Sequence, residues 1–209
     1  MNHDEAPMDF YEEDEETQLI SRCHHEAAHA VFAYHAGLEI FSVVAEEEGG
    51  RCDINLPEYR EYSSPGELAC FCLAGAYAAV LATTLFYHPD SEDVSLEWLR
   101  EEADKTPEGD AYWALVYMER MTSYGDPSDD INEVHASVLK TLAESVEDRW
   151  LEIEAVAFAL MRRGRLDGQE VVEIIRASAA GVTRRSSGAK RKRLLRRGTR
   201  PHLGADRSR

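Results

Sequence analysis

The chain has 209 residues, of which 44% are hydrophobic, and its formal net charge is −17. This length and hydrophobic content predict one globular domain with a proper core. The acidic and polar residues at the start exclude a secretory signal peptide. No apolar run approaches the roughly 20 residues that span a bilayer, so we expect no membrane association.

Charge is distributed unevenly along the chain. Residues 184–209 contain 11 Lys and Arg and one acidic residue, which leaves 12 basic and 39 acidic residues in the first 183. An acidic body of about −27 therefore precedes a tail of about +10. The acidic body argues against a phosphate-binding surface on the folded part. The tail either contacts nucleic acid, or folds back on the acidic body or simply aids solubility, and we favour the second interpretation.

Cysteine usage bears on the cellular compartment. The four cysteines are too few and too irregularly spaced for a disulfide scaffold: Cys23, Cys52, Cys70 and Cys72. Cys70 and Cys72 stand in an apolar stretch, where we expect buried free thiols. The expected compartment is reducing, and the expected location is the cytoplasm.

The chain divides into three parts by composition. Residues 1–16 hold eight acidic side chains and little that could form a core, which predicts a flexible acidic arm. Residues 17–180 form the predicted domain. Residues 181–209 are basic and rich in Ser, Gly and Arg, and we expect them to be disordered.

The first predicted elements are a helix and a hairpin. The helix covers residues 17–36 and ends at Gly37, in a position that favours a left-handed residue. The following segment, "EIFSVVAEEEGGRCDINLP", predicts a strand, a turn at Gly49-Gly50, and a second strand over 52–56.

The remaining predicted elements are helices. Pro65 begins a long apolar helix over 65–86, whose Ala and Gly content predicts close packing against another helix. A polar connection with one short helix follows, and then a helix over 110–124. Two more helices are predicted, one over 129–162, either continuous or interrupted, and one over 167–178. The expected fold class is mainly α, with a small β-hairpin or sheet after the first helix.

The first helix carries the motif H-E-x-x-H. His25 and His29 lie four residues apart, so their imidazoles are about 40° apart around the helix and can share one metal ion. Zn²⁺ uses such a pair, and Glu26 lies close enough to accept a proton from a metal-bound water. The alternative is an amphipathic helix with a solvated histidine face.

The other histidines of this helix are poor ligands. His35 follows His29 by six residues, but Phe32 stands where the extended motif has a chain-bending glycine. Without that bend, His35 lies about 9 Å along the axis from His29 and about 120° around it. We expect His35 in the last turn, where the helix dipole favours it. His24 points about 100° away from His25.

A third ligand must therefore come from another element. Residues 46–48 are glutamates on the hairpin arm, where a solvated turn explains them better. Asp110 is the best placed candidate, because it follows a polar loop and precedes an apolar helical run. Asp is also a preferred helix cap, so the residues alone leave the ligand and the cap open.

In the order of its motifs, the chain resembles the peptidase domain of the FtsH family of zinc metalloproteases. "HEAAHAVFA" is similar to the family's HEAGHA-V motif, with Ala28 in place of glycine, and the predicted hairpin resembles the family's next segment. "CLAGAYAAVLAT", "GDAYWALVYMERMTSYGDPSD" and "LMRRGRLDGQEVVEII" resemble the later motifs. The resemblance covers roughly residues 18–178. It implies His25, His29 and Asp110 as zinc ligands and Glu26 as the catalytic base.

The chain departs from the family in several places. Ala76, Ala79 and Val80 stand where the family has an arginine and paired glutamates, and no ATPase motif G-x-x-x-x-G-K-[ST] occurs. The resemblance implies a zinc-dependent endopeptidase that cleaves flexible polypeptides without ATP of its own. A separate ATPase or self-association could deliver the substrate. The alternative is a catalytically silent scaffold or binding module that keeps the metal site.

Overall fold

A computed structural model describes residues 15–47, 49–55, 63–83, 94–124 and 130–186. The elements in chain order are helix α1 Glu15–His35, strands β1 Ile40–Glu46 and β2 Gly49–Ile54, helices α2 Pro65–Thr83, α3 Leu96–Lys105, α4 Asp110–Tyr124 and α5 Ile131–Arg163, strand β3 Arg165–Asp167, and helix α6 Gly168–Ser186. The prediction of a mainly helical fold with a small sheet is confirmed. Predictions for residues 1–14, 84–93 and 187–209 lie outside the described residues.

Local sequence explains where α1 ends and where α2 begins. Gly37 has φ +74°, and the amides of Gly37 and Leu38 donate to carbonyls of the last turn of α1, which forms a Schellman motif. At the start of α2, Ser64 and Glu67 exchange hydrogen bonds as a capping box around Pro65. Both boundaries agree with the predicted ones.

The sheet is antiparallel, in the order β2-β1-β3. Glu46 pairs with Gly49, so β2 begins at Gly49 and ends at Ile54. The predicted turn at Gly49-Gly50 is therefore wrong, because both glycines belong to the ladder and the turn comes before them. Glu48 and Leu56 lie outside the described residues.

Strand β3 was not predicted. It has three residues, and Leu166 pairs with Val43 in the middle of β1. A segment this short between two helices shows no hydrophobic period of its own. Helix α5 runs without interruption to Arg163, and α6 continues to Ser186, beyond the predicted end at 178.

The core forms around α1, which packs against α2, α5, β1 and β2. Helix α2 also packs against α4 and α5, and α3 packs on α4. Helices α2 to α5 contribute most of the largest fully buried side chains, which include Leu73, Leu99, Met118, Leu142 and Ile153. The close packing of α2 against α1 agrees with the prediction from its Ala and Gly content.

Helix α2 corrects one expectation from the sequence. With 19 residues and a mean hydropathy of 1.5, it is long and apolar enough to cross a membrane by length and composition. In the fold, 56% of that apolar window is buried inside the protein, as is usual for a core helix. The four cysteines are free thiols, and Cys70 and Cys72 are buried, as predicted.

Candidate metal centre

Helix α1 presents His25, Glu26 and His29 at its middle. The alanines around them are fully buried and hold this part of the helix in the core: Ala27, Ala28 and Ala30. The Nε2 atoms of His25 and His29 lie 3.2 Å apart. The two imidazoles therefore face one point, as the four-residue spacing predicts.

Asp110 completes the group from a distant part of the sequence. It is the first residue of α4, and its Oδ2 lies 3.2 Å from His25 Nε2 and 3.1 Å from His29 Nε2. The helix is opened by Gly109, whose carbonyl accepts the Trp113 amide. Asp110 is thus inside the first turn rather than at the cap, and its carboxylate is turned to the histidines.

The three atoms fit the donor set and the spacing of a zinc site. Two imidazole nitrogens and one carboxylate oxygen are the ligand types that zinc takes in catalytic centres. Ligands of a tetrahedral zinc lie about 3.3 Å from one another, and the observed separations are 3.1–3.2 Å. These lone pairs repel each other unless a cation or a proton lies between them. The fit rests on this convergence.

Gly75 of α2 supports the same interpretation. A Cβ atom at this position would lie 2.5 Å from His29 Nε2 and 2.6 Å from His25 Nε2. Both contacts are shorter than any side chain allows, so only glycine leaves space for the ligand atoms. Glycine inside a helix lowers stability by about 1 kcal/mol relative to alanine. We therefore expect a packing reason for glycine at this position.

Electrostatics within the group favours an ionised Asp110. Burial acts to raise the pKa of this carboxyl, but the His29 and His25 imidazoles lower it well below its usual range. For His29, burial acts to lower the pKa, but the Asp110 carboxylate, Glu26 and the Phe71 backbone together raise it above its ordinary value. The ionised Asp110 carboxylate therefore gives the group a strong affinity for a positive charge placed between the three side chains.

His29 is the most enclosed of the three. Its side chain is 6% exposed, against 29% for His25 and 46% for Asp110, so the group opens to solvent through Asp110. The Phe71 ring lies 5.4 Å from the His29 ring. His29 Nδ1 is buried without a well-formed hydrogen bond. The backbone of Phe71 is nevertheless near enough to raise the pKa of the His29 ring.

Glu26 lies beside the group and is 7% exposed. Burial raises the pKa of its carboxyl, His29 and His25 act to lower it, and the net shift is upward. Strand β2 closes over this side chain, because a Cβ atom at Gly50 would overlap the Glu26 carboxylate and lie 2.7 Å from its Cγ. A buried carboxylate with a raised pKa is suited to accept a proton.

The structure places the remaining candidates outside the centre. His35, the last residue of α1, bonds through Nε2 to Glu152 of α5 at 2.6 Å. His24 is buried, donates from Nδ1 to the Ile20 carbonyl at 2.8 Å, and stacks on Trp150. Glu46 is exposed, and its backbone carbonyl accepts a hydrogen bond from Arg22. His24 and His35 thus bond to partners outside the group of His25, His29 and Asp110.

Two cavities are lined both by a histidine of the group and by Asp110. The smaller, of about 230 Å³, is lined by β2 residues including Gly50 and Cys52, together with Glu26, His29 and Asp110. Burial raises the pKa of the Cys52 thiol, and the neighbouring carboxylates add to the effect. The larger, of about 410 Å³, is lined by His25 and Asp110 and by residues of α2 and α3.

Sequence reasoning did not single out Gly50, Cys52 or Gly75. The one available signal was Gly75, since an isolated glycine within an apolar helix usually has a packing or functional reason. Comparison with known proteins adds no further assignment: no protein-family model and no curated protein matches this chain. The resemblance to the FtsH peptidase domain stays a prediction.

Proposed function

We propose that this protein is a zinc-dependent metalloendopeptidase that hydrolyses peptide bonds in flexible or unfolded polypeptides. The observation that carries the proposal is the convergence of His25 Nε2, His29 Nε2 and Asp110 Oδ2 within 3.1–3.2 Å, beside a buried glutamate. Structural zinc sites are usually closed by four protein ligands. A three-ligand group with a carboxylate at its side suits a catalytic site better.

The chain's own residues divide the chemistry between them. His25, His29 and Asp110 would hold the zinc ion, which supplies a Lewis acid and lowers the pKa of a bound water. Glu26 accepts a proton from the attacking water at its carboxylate. It then donates that proton to the nitrogen that leaves when the C–N bond breaks, so it acts first as base and then as acid.

Strand β2 offers a way to hold the substrate. In the order β2-β1-β3, and among the described residues, β2 has a hydrogen-bonded strand on one side only. An extended polypeptide added to its free edge would pass Gly50 and Cys52, next to Glu26. This mode requires an unfolded or flexible segment, because the backbone amides of a folded substrate are already paired. Delivery of such segments by a separate ATPase or by self-association belongs to the same proposal.

Zinc stoichiometry and hydrolysis of an unfolded protein such as casein test the proposal directly. We expect the wild-type protein to bind one zinc per chain and to cleave casein. The Glu26→Gln variant should bind zinc equally and lose cleavage, because the amide accepts no proton from water. Bound zinc without Glu26-dependent cleavage would instead favour the silent scaffold.

A further inference from the structure

A third cavity lies between the end of α1, the start of α2 and the middle of α5, and we call it the Arg149 cavity. Its volume is about 580 Å³, within the range of ligand pockets. Its lining among the described residues includes neither the three candidate ligands nor Glu26. The Arg149 cavity is therefore separate from the candidate metal centre, and the proposed reaction assigns it no role.

The Arg149 guanidinium brings a positive charge to the lining of this cavity. Its Cζ atom lies 5.4 Å from the centroid of the Phe32 ring, and its Nη1 donates to the Ser145 carbonyl at 3.0 Å. Its buried Nε has no hydrogen-bond partner in the described part of the chain. Among the described residues, no carboxylate forms an ion pair with this guanidinium. The ring and the helix thus hold a half-buried cation in place without a counter-charge.

The acidic side chains associated with this lining have other partners. Glu67 belongs to the lining, and its Oε2 accepts hydrogen bonds from the backbone amide and the hydroxyl of Ser64, both at 2.9 Å. Glu152 of α5 is bound through its Oε2 by His35 Nε2 at 2.6 Å. A buried charge without a partner lowers stability, so an anion beside Arg149 would stabilise the fold. The unpaired cation therefore indicates an anionic occupant.

The rest of the lining suits an organic anion better than an inorganic one. Gly66 lies in the first turn of α2, where backbone amides lack helical partners and favour negative charge. Phe32, Ala36 and Cys70 contribute apolar surface. One water takes about 30 Å³ in the liquid, so a bare phosphate or carboxylate would fill only a small part of the cavity. The occupant therefore needs an apolar body of its own.

We propose that the Arg149 cavity binds a small organic anion, whose carboxylate or phosphate group is held by the Arg149 guanidinium and whose apolar body packs beside Phe32. The guanidinium forms charge-assisted hydrogen bonds with either anionic group. The inference goes beyond the proposed peptidase function and does not depend on it.

Nuclear magnetic resonance titration of the full-length chain tests the inference with four probes: benzoate, phenyl phosphate, the neutral analogue benzamide, and inorganic phosphate. We expect benzoate or phenyl phosphate to bind at least about tenfold more tightly than benzamide and inorganic phosphate. The better of the two identifies the anionic group. The amide resonances that shift should include those of Phe32, Gly66 and Arg149. Shifts confined to residues around His25 and Asp110 would indicate binding at the metal centre and would overturn the inference.

Two variants of α5 separate the Arg149 cavity from general effects of charge. Arg149→Gln should weaken binding of the preferred anion at least about tenfold, because the charge-assisted hydrogen bonds are lost. Arg162→Gln removes the same charge from an exposed position outside the lining. It should change the affinity by less than about twofold, because solvent and salt screen an exposed charge.

Ser145→Asp replaces Arg149→Gln if that variant does not fold. It places a carboxylate one turn before Arg149, at the spacing at which opposite charges pair on a helix. This internal counter-charge should compete with the anion and weaken its binding at least about tenfold. The inference is overturned if neither organic anion binds, if benzamide binds equally well, or if either folded variant keeps the wild-type affinity. Zinc binding and casein cleavage by these variants should match those of wild type, so the proposed function is tested separately.

Discussion

Gly75 of α2 lies so close to His29 of α1 that a methyl group at Gly75 would come within 2.5 Å of the His29 Nε2 atom. Two core helices thus meet where the candidate metal ligands converge. The contact ties the packing of the core to the shape of the site, and it leads to a prediction about zinc affinity.

We expect Gly75→Ala to lower zinc affinity by at least the 10–100-fold typical of losing an outer-shell partner, because the methyl group displaces both imidazoles. Calorimetric titration with zinc measures this. Gly66→Ala is the matched control on the same helix, since its Cβ atom would meet only Met121 at 3.4 Å or more. An unchanged zinc affinity in Gly75→Ala would contradict the assigned position of the metal.

Gly50→Ala should reduce peptide hydrolysis while leaving zinc affinity nearly unchanged. The three atoms nearest to the added methyl group all belong to Glu26, whose carboxylate it overlaps. A displacement of about 1 Å at a catalytic group can cost about 10²-fold in rate. Steady-state cleavage and zinc titration of the same preparation separate the two effects. Glu47→Gln, an exposed change in the same hairpin, should alter neither quantity.

Two histidines of α1 should differ sharply in their effect on zinc binding. His25→Gln removes a proposed ligand, so we expect it to weaken zinc binding by more than about 100-fold. His35→Gln changes the residue that pairs with Glu152 and should leave zinc binding unchanged. Thermal melting with and without zinc gives the readout, because a ligand bound only by the folded state stabilises it. An equal loss of zinc binding in both variants would point to a general disruption of α1.

Stability should fall as the pH decreases below about 6.5, in part because of His135. Burial lowers the pKa of this imidazole, whose Nε2–H donates to the Val94 carbonyl at 2.9 Å, and the carbonyl offsets only part of the shift. Between the folded-state pKa and about 6.5, the unfolded chain binds more protons, so the free energy of unfolding rises with pH. The contribution is complete above that range and is lost as the pH falls through it.

Urea unfolding of wild type and His135→Gln at pH 8 and pH 5.5 checks this sign. The stability advantage of the wild-type protein should be larger at pH 8, and we expect it to be about 1 kcal/mol there from the buried hydrogen bond. Chelator in both samples removes any contribution from metal. A difference that grows at the lower pH would show that His135 is charged in the fold.

The sequence determined those features that depend on local backbone geometry. Pro65 predicts the start of α2 and Gly37 the end of α1, because a first-turn proline and a left-handed residue act within one turn. The spacing of His25 and His29 places both rings on one face, and the rise of the helix excludes His35. These conclusions needed no knowledge of other elements.

Tertiary structure decided what depends on the approach of separate elements. Asp110 reaches His29 across 81 residues of sequence, and its residue type alone left the cap and the ligand both open. The need for glycine at position 75 arises only from the packing of α2 on α1. The short strand β3 depends on its pairing with β1. The physical reason is that such contacts follow from the packing of the whole core, a sum of many weak interactions that no local pattern encodes.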